Sequence, residues 1–477
     1  MADIRKQNMR DRNCAFDLAM KECLGERGWL TRSEDKAAHA RDWLDRYGEV
    51  PLGIARPAST AEVSAIVRLC AEHGISIVPQ GGNTSLNGGS VAISPASVIL
   101  SMARMNRIHT IDAVDFTATV EAGVVLAHLH EKLTAHNLAF PLHLGAEGSA
   151  QIGGLIGTNA GGSHAMRYGM MQDLVLGLEV VLADGTVWDG SRALIKDNAG
   201  YQLRRLFCGS EGTLGIVTKA VLRLFPAPVA RATALLALPD LDAALRIGAL
   251  LRASTGEFLT AVEFFNEPGL SLLLKHVPHI SRPLETPGPV YLLVEIATSI
   301  PEIELPDILD RALSAAFETG DVLDGTIATS EAQRAALWRI REELPEGQRL
   351  EGRQIKHDVS VPVARFAAFV AEASAGAERV LADVRVNPFG HLGDGNVHFN
   401  LSPPEGCADF EGREMRLSQA VYEAAVRHGG SIAAEHGLGQ AKVELADRFR
   451  SATERSLMRQ LKSTLDPHGV MNPGKVV

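Results

Sequence analysis

Apolar positions along this chain change their period several times, and each change marks an element. AEVSAIVRLCAEH, residues 61–73, carries apolar residues at helical spacing. Ser59-Thr60 ahead of Glu62 is a helix-start signature, and Gly74 supplies the stop. ISIVP then reads as a short buried strand that runs into the glycine-rich loop GGNTSLNGGS. Within 98–126, VILSM and ATVEAGVVL read as strands, and a helix is expected over 127–137. LVLGLEVVLADGTVWDG predicts a hairpin turning at Asp184-Gly185, and LFCGSEGTLGIVTKAVLRLFP a loop followed by a strand ending at Pro226. Residues 15–50, rich in helix formers of mixed charge, predict helix.

After Pro226 the character changes. Glycine thins out, and long amphipathic stretches such as LPDLDAALRIGALLRAS alternate with strands such as PVYLLVEIA. A helical pattern at 415–428 stops at Gly429-Gly430, and the tail SLMRQLKSTLDPHGVMNPGKVV reads as a helix and then an extended segment. The pattern predicts an α+β second domain, with a boundary near residue 227.

NPFGHLGDGNVHFN, residues 387–400, holds the first candidate chemistry. Three glycines disfavour a helix there, and Asp394-Gly395 between apolar residues signals a two-residue hairpin turn. In that register His391 faces His398, with Cβ atoms about 4.5–5.5 Å apart, a spacing that suits two imidazoles on one ion or ligand. Asn400, two residues beyond His398, points the same way. The competing reading is a tight turn with two ordinary surface histidines.

Composition narrows the classes. At 477 residues the chain is long enough for two to three domains, and 46% hydrophobic with 22% charged residues is ordinary for a globular protein. The net charge of −10 argues against nucleic acid or an anionic membrane as partner. Cys14, Cys23, Cys70, Cys208 and Cys407 are scattered and odd in number, as expected of reduced cytoplasmic thiols. The polar start MADIRKQNMRDRN has no signal-peptide core, and no apolar run is long enough to span a bilayer. A cytoplasmic protein without integral membrane contact is expected.

The small-residue loops at 81–90 and 145–163 can wrap backbone N–H groups around a phosphate, and two such loops can grip a pyrophosphate from both sides. Neither a GxGxxG in a βαβ context nor a GxxxxGK[ST] is present, which excludes a Rossmann site and a P-loop.

PQGGNTSLNGG, GAEGSAQIGGLIGTNAGGSHAMRYG, LGLEVVLADGTV and LFCGSEGTLGIVT resemble the flavin domain of the vanillyl-alcohol oxidase/para-cresol methylhydroxylase superfamily. HLGDGNVH, EHGLGQAK and DPHGVMNPGKV resemble its D-2-hydroxy-acid dehydrogenase branch, which includes D-2-hydroxyglutarate and D-lactate dehydrogenases and the glycolate oxidase flavin subunit. The resemblance runs from about residue 50 to the end. It implies an α+β fold: a two-part FAD-binding domain over 1–227, an α+β substrate domain over 228–430, and a small helical C-terminal segment, 431–477, that closes on the flavin. It also implies FAD contacts from Pro79, Gly81, Gly82, Asn83, Thr84, Ser85 and Gly88. Gly148, Ser149, Gly153, Gly154, Thr158, Asn159, Gly161 and Gly162 form the second set, with Glu211, Gly212, Ile216 and Asn472 near the cofactor. The first loop lacks the histidine that tethers FAD in some members, so non-covalent FAD is expected.

By the same resemblance His391, His398 and Glu435 bind a divalent metal, usually Zn²⁺, with Mn²⁺ or Fe²⁺ as alternatives. His436 is then the base. Oxidising a secondary alcohol removes a hydride, taken by flavin N5, and a proton, which a neutral imidazole can collect. Neighbours on a strand point to opposite faces, so Glu435 and His436 are expected at a strand end or bulge beside Gly437. Arg341 and Lys356 match residues set against the distal carboxylate of hydroxyglutarate, with Asn400 also facing the substrate; for Arg341 the rival reading is a solvated helix face. Pro345 stands where hydroxyglutarate-type members carry a hydroxyl residue, which keeps another or bulkier 2-hydroxy acid open. The expected acceptor is an electron-transfer flavoprotein or a quinone, and the expected assembly a homodimer. An O₂-using oxidase, a D-lactate dehydrogenase and a flavin subunit of a larger complex are the alternatives.

Overall fold

The stretch expected as helix over 15–50 divides at glycines. In the computed structural model, which describes residues 2–477 with side chains from Cys14 onward, α1 (Ala2–Gly28) breaks at Gly25, where φ is +66°. β1 (Trp29–Leu30) and α2 (Ser33–Ala40) follow. Two compact units form, and each is built around its own sheets. One comprises residues up to 162, 169–226 and 435–477; the other comprises 163–168 and 227–434. The chain therefore passes between units at Gly162–Ser163, Tyr168–Gly169, Pro226–Ala227 and Ala434–Glu435, and 435–477 groups with the first unit.

In the first unit, β2 (Gly53–Ala55) is followed by α3 (Thr60–His73), which starts where Ser59 accepts the Glu62 N–H at 3.2 Å and ends on left-handed Gly74. β3 (Ser76–Gln80) and β4 (Ser97–Ser101) complete a four-stranded sheet of order β1-β2-β4-β3, in which β2, β4 and β3 are parallel. β5 (Ile108–Asp112) and β6 (Thr117–Glu121) pair next. After them come α4 (Leu126–Thr134), α5 (Ile152–Thr158), β7 (Val175–Val181), β8 (Val187–Gly190) and β9 (Ile216–Arg223). These strands make an antiparallel sheet of order β5-β6-β9-β7-β8. β7 and β8 meet at Val181 and Val187 around left-handed Gly185, as Asp184-Gly185 predicts. Ile66, Val67, Ile77, Val98 and Met471 share one buried core, so the chain's end is packed under β3. Ile77 and Asn472 N–H groups bond the Val470 and Ile77 carbonyls at 2.8 Å.

The second unit is a seven-stranded antiparallel sheet of order β13-β10-β12-β11-β15-β16-β14. Its elements include, in chain order, β10 (Ala230–Leu238), α6 (Leu241–Thr255), β11 (Leu259–Asn266) and β12 (Val290–Thr298). β13 (Asp324–Ile327), α7 (Glu331–Glu351), β14 (Asp358–Ser360), α8 (Phe366–Val380), β15 (Arg385–His391), β16 (Asn396–Ser402) and α9 (Glu414–Arg427) follow. β12 is buried along its whole length, which is why PVYLLVEIA reads as a continuous apolar run.

A methyl at Gly82 would stand 1.9 Å from the Ser149 carbonyl oxygen. Gly82→Ala is therefore expected to cost about 1–3 kcal/mol through overpacking. Urea denaturation followed by circular dichroism measures this; an unchanged midpoint contradicts the close approach of the two loops.

Candidate active site

The hairpin at 387–400 forms, but with a different turn from the one its Asp-Gly pair predicts. β15 and β16 are joined by Leu392–Gly395, with the Gly395 N–H bonding the His391 carbonyl at 3.0 Å in a wider turn. His391 therefore faces Asn396, and His398 faces Phe389. The register differs from the predicted one by two residues. Because strand side chains alternate with a period of two, both histidines keep the same face. Their rings lie 5.6 Å apart, nearly edge to face. Gly395 has φ +86°, and a methyl there would sit 2.0 Å from the Val361 carbonyl oxygen, so only glycine fits this turn.

That face carries a row of buried polar residues. Glu263 on β11 stands directly opposite His391, and its Oε1 lies 2.7 Å from His391 Nδ1. Arg341 on α7 donates its Nε–H to the other Glu263 oxygen at 2.9 Å and lies over the Phe389 ring. On the adjacent strand β12 Glu295 accepts from Thr233, Trp338 and Arg334 at 2.8, 2.7 and 3.2 Å. Each buried carboxylate is thus covered by an arginine of α7. Glu263 is 1% exposed. Burial works to raise its carboxyl, but His391 and Arg341 hold it below the ordinary carboxylate value. An ionised Glu263 fixes His391 with Nδ1–H donating, which leaves Nε2 as a metal-ligating atom.

Glu435 follows directly on the second unit's chain. Ser431 bridges Ser360, and the Ala434 N–H reaches Asp358 Oδ2 at 3.3 Å. Beyond that bridge the backbone bends, and Gly437 has φ +68°. Glu435 and His436 are therefore not on a regular strand, and alternation does not force them apart. Ligand atoms of His391, His398 and Glu435 all lie within 4.8 Å of one another. Two imidazoles, a carboxylate and an ionised partner behind one imidazole fit a Zn²⁺-class ion with an open coordination position.

Arg341 is buried at 8% exposure, and so is not on a solvated helix face. Its Nε edge serves Glu263. Pro345, one turn on, has no N–H for the Arg341 carbonyl, which the helix leaves without its regular bond. Lys356 is exposed; the Glu346 carboxyl on α7 is lowered chiefly by its hydrogen bond from Arg349, with the Lys356 charge adding to it. Asn400 shares the histidine face as expected, but its amide donates to Gln348 at 2.8 Å in the buried core. Its visible role is to lock α7 to β16. Glu263 escaped the sequence reading. Its signal was a lone carboxylate inside LTAVEFFN, a strand otherwise apolar.

All the residues assigned to FAD by resemblance fall within the first unit. Gly82 abuts Ser149, a methyl at Gly81 would lie 3.5 Å from Gly154, and one at Gly212 would lie 2.7 Å from Pro79, so the loops converge. Asn83, Asn159, Glu211 and Asn472 all have positive φ. Gly82, Gly153 and Gly162 are required by neighbouring backbone or side chains, whereas a methyl at Gly148 meets nothing within 4 Å. Asn472 donates to the Gly89 and Glu211 carbonyls at 2.9 and 2.6 Å. Its Oδ1 and the Oε1 of Gln151 are buried without a partner among the described residues, and both suit a ligand donor in this cradle. Glu211 accepts the Leu438 and Gly439 N–H groups at 2.7 and 2.9 Å, while Asn87 donates to the His436 and Gly437 carbonyls at 3.2 and 2.7 Å. The backbone of the EHGLG segment is fastened from both sides.

This fold is shared with solved oxidoreductases. It superposes on 4-ethylphenol oxidase from Gulosibacter chungangensis with a TM-score of 0.75 at 19% identity, covering 98% of this chain and 97% of that one. Against p-cresol methylhydroxylase the TM-score is 0.71 at 18% identity, covering 98% and 96%. Residues 51–191 match the FAD binding domain model, and 227–476 match that of the FAD linked oxidases, C-terminal domain. Among relatives, D-2-hydroxyglutarate dehydrogenase of Xanthomonas citri pv. viticola is 40% identical, over 94% of this chain and 93% of its own. The Stutzerimonas stutzeri enzyme of that name is 36% identical, over 94% and 95%, and the mitochondrial Rattus norvegicus enzyme 36%, over 97% and 84%. The chain belongs to the FAD-linked oxidase family, and it is an FAD-dependent oxidoreductase.

Replacing Arg341 by Met leaves the Glu263 carboxylate buried with its charge half-compensated, at an expected cost of about 3–5 kcal/mol. Adding Glu263→Gln to Arg341→Met should recover most of that loss in a denaturation cycle. Additive losses would show that the two residues do not act as a pair.

Proposed function

We propose that the chain oxidises a D-2-hydroxy acid, with D-2-hydroxyglutarate first among candidates, to the 2-oxo acid. The observation that carries this reading is the convergence of His391, His398 and Glu435 on a face backed by Glu263 and Arg341. The names of the relatives support the substrate. When bound, FAD supplies a hydride acceptor at N5, and a divalent ion held by His391, His398 and Glu435, best Zn²⁺, supplies acidification of the substrate hydroxyl. The cradle of Pro79, Gly81–Ser85, Gly88, Gly148–Ser149, Gly153–Gly154, Thr158–Asn159, Gly161–Gly162, Glu211–Gly212, Ile216 and Asn472 holds the FAD non-covalently.

His436 takes the hydroxyl proton. Its backbone carbonyl is held by Asn87, and the residue is half-buried. Glu263 keeps His391 in one tautomer, and Arg341 balances the Glu263 charge while its remaining guanidinium edge faces an acidic substrate group. Lys356 adds positive charge for a second carboxylate. Electrons leave to an electron-transfer flavoprotein or a quinone. No described helix is long and apolar enough to cross a membrane. A cytoplasmic homodimer is the working assignment.

Anaerobic addition of D-2-hydroxyglutarate to the purified flavoprotein should bleach its visible absorption. An oxidised spectrum that persists with zinc present and bleaches with D-lactate instead would reassign the substrate. His436→Ala should keep its FAD and lose flavin reduction by at least about 100-fold, the scale of general-base catalysis; reduction at the wild-type rate excludes it as base. His391→Ala should stay folded and lose metal by elemental analysis, and unchanged content at this site would defeat the ligand assignment.

A further inference from the structure

A second set of metal-ligating side chains lies in the first unit, apart in sequence from the residues just discussed. His130 sits on α4, His143 on the extended segment after it, and Glu147 in the turn that segment enters. Their ligand atoms all lie within 4.8 Å of one another. Glu147 Oε2 is 3.0 Å from His130 Nδ1 and 3.5 Å from His143 Nδ1, and the two imidazole rings lie 4.7 Å apart.

The backbone builds this arrangement independently of the side chains. The Glu147 N–H bonds the Leu144 carbonyl at 3.2 Å, and the Glu147 carbonyl accepts the Ala127 N–H of α4 at 3.0 Å. His130 is one helical turn beyond Ala127 and on the same side. The turn is thereby fastened to the helix with its carboxylate beside His130. Both imidazoles aim a nitrogen at a single carboxylate oxygen. Protonated, the two rings would repel each other at this separation; neutral, they offer lone pairs that a cation can share.

The spacing also fits coordination. Zn²⁺ bonds to nitrogen and oxygen of about 2.0–2.2 Å give a tetrahedral edge of about 3.3 Å, and the two separations here bracket it.

We propose that His130, His143 and Glu147 form a second divalent-cation site of the zinc class, three protein ligands with the remaining position open to water. With its ligands partly exposed, its effect is to pin the 144–150 turn to α4. Two imidazoles and a carboxylate favour Zn²⁺, Co²⁺ or Ni²⁺ over Mg²⁺ or Ca²⁺.

The test uses the full-length flavoprotein stripped with a chelator and dialysed to equilibrium against Zn²⁺, with elemental analysis of protein and buffer. A His391→Ala/His398→Ala background removes the other cluster, so the result does not depend on that assignment. One zinc per chain with micromolar or tighter affinity is expected in this background. His143→Ala or Glu147→Gln added to it should weaken binding at least about 100-fold, as loss of a ligand does. The flavin spectrum reports that each variant is folded. Zinc uptake unchanged by both substitutions, or none at millimolar zinc in the background, would overturn the proposal. Mg²⁺ competing equally with Zn²⁺ would also overturn it.

Discussion

The carboxylate of Glu263 is the constraint around which the second unit is arranged. An ionised group at 1% exposure costs several kcal/mol unless it is paired and hydrogen-bonded. Here one oxygen meets His391 across two strands, and the other meets Arg341 from the covering helix. The pairing fixes three things together: the register of β11 against β15, the seat of α7 on the sheet, and the tautomer of His391. Glu295, with Arg334 and Trp338, repeats the device on the neighbouring strand β12 and anchors the same helix one turn or two earlier. Gln348 and Asn400 continue the seam toward the helix's end.

Function and stability therefore share residues. Arg341, which resemblance assigns to the substrate, already has a carboxylate inside the protein. The two roles are compatible because guanidinium presents more than one edge. They also mean that a fall in activity on changing Arg341 cannot be read as lost substrate contact alone; KM and kcat must be separated from folding. Pro345 adds to this, because removing the bond to the Arg341 carbonyl loosens the helix at the residue that faces Glu263.

Most of the fold was legible in local signals. Ser59, Gly74 and Asp184-Gly185 acted where their chemistry said they would, since caps and tight turns depend on a few adjacent residues. The histidine pair was legible for a subtler reason: parity survives a two-residue error in register, so the wrong turn still gave the right face. Glu263 was not legible. Its meaning depends on a partner strand more than 120 residues further along the chain, and no local pattern distinguishes a carboxylate aimed at a histidine from one at a strand's exposed edge. Asn400 shows the converse. Its face was readable, but its partner, Gln348, was set by helix packing. The grouping of 435–477 with the first unit likewise rests on contacts to Asn87, Glu211 and β3 that sequence separation hides.

The central claim is that Glu263 works through His391 to hold a metal needed for oxidation. Stopped-flow reduction of the flavin by D-2-hydroxyglutarate, in wild type and Glu263→Gln at graded zinc, tests it most directly. The account predicts that Glu263→Gln needs about 10–100-fold more zinc to reach half its maximal rate, the usual cost of losing such a partner. Identical zinc dependence in the two proteins, both folded and both carrying flavin, would contradict it.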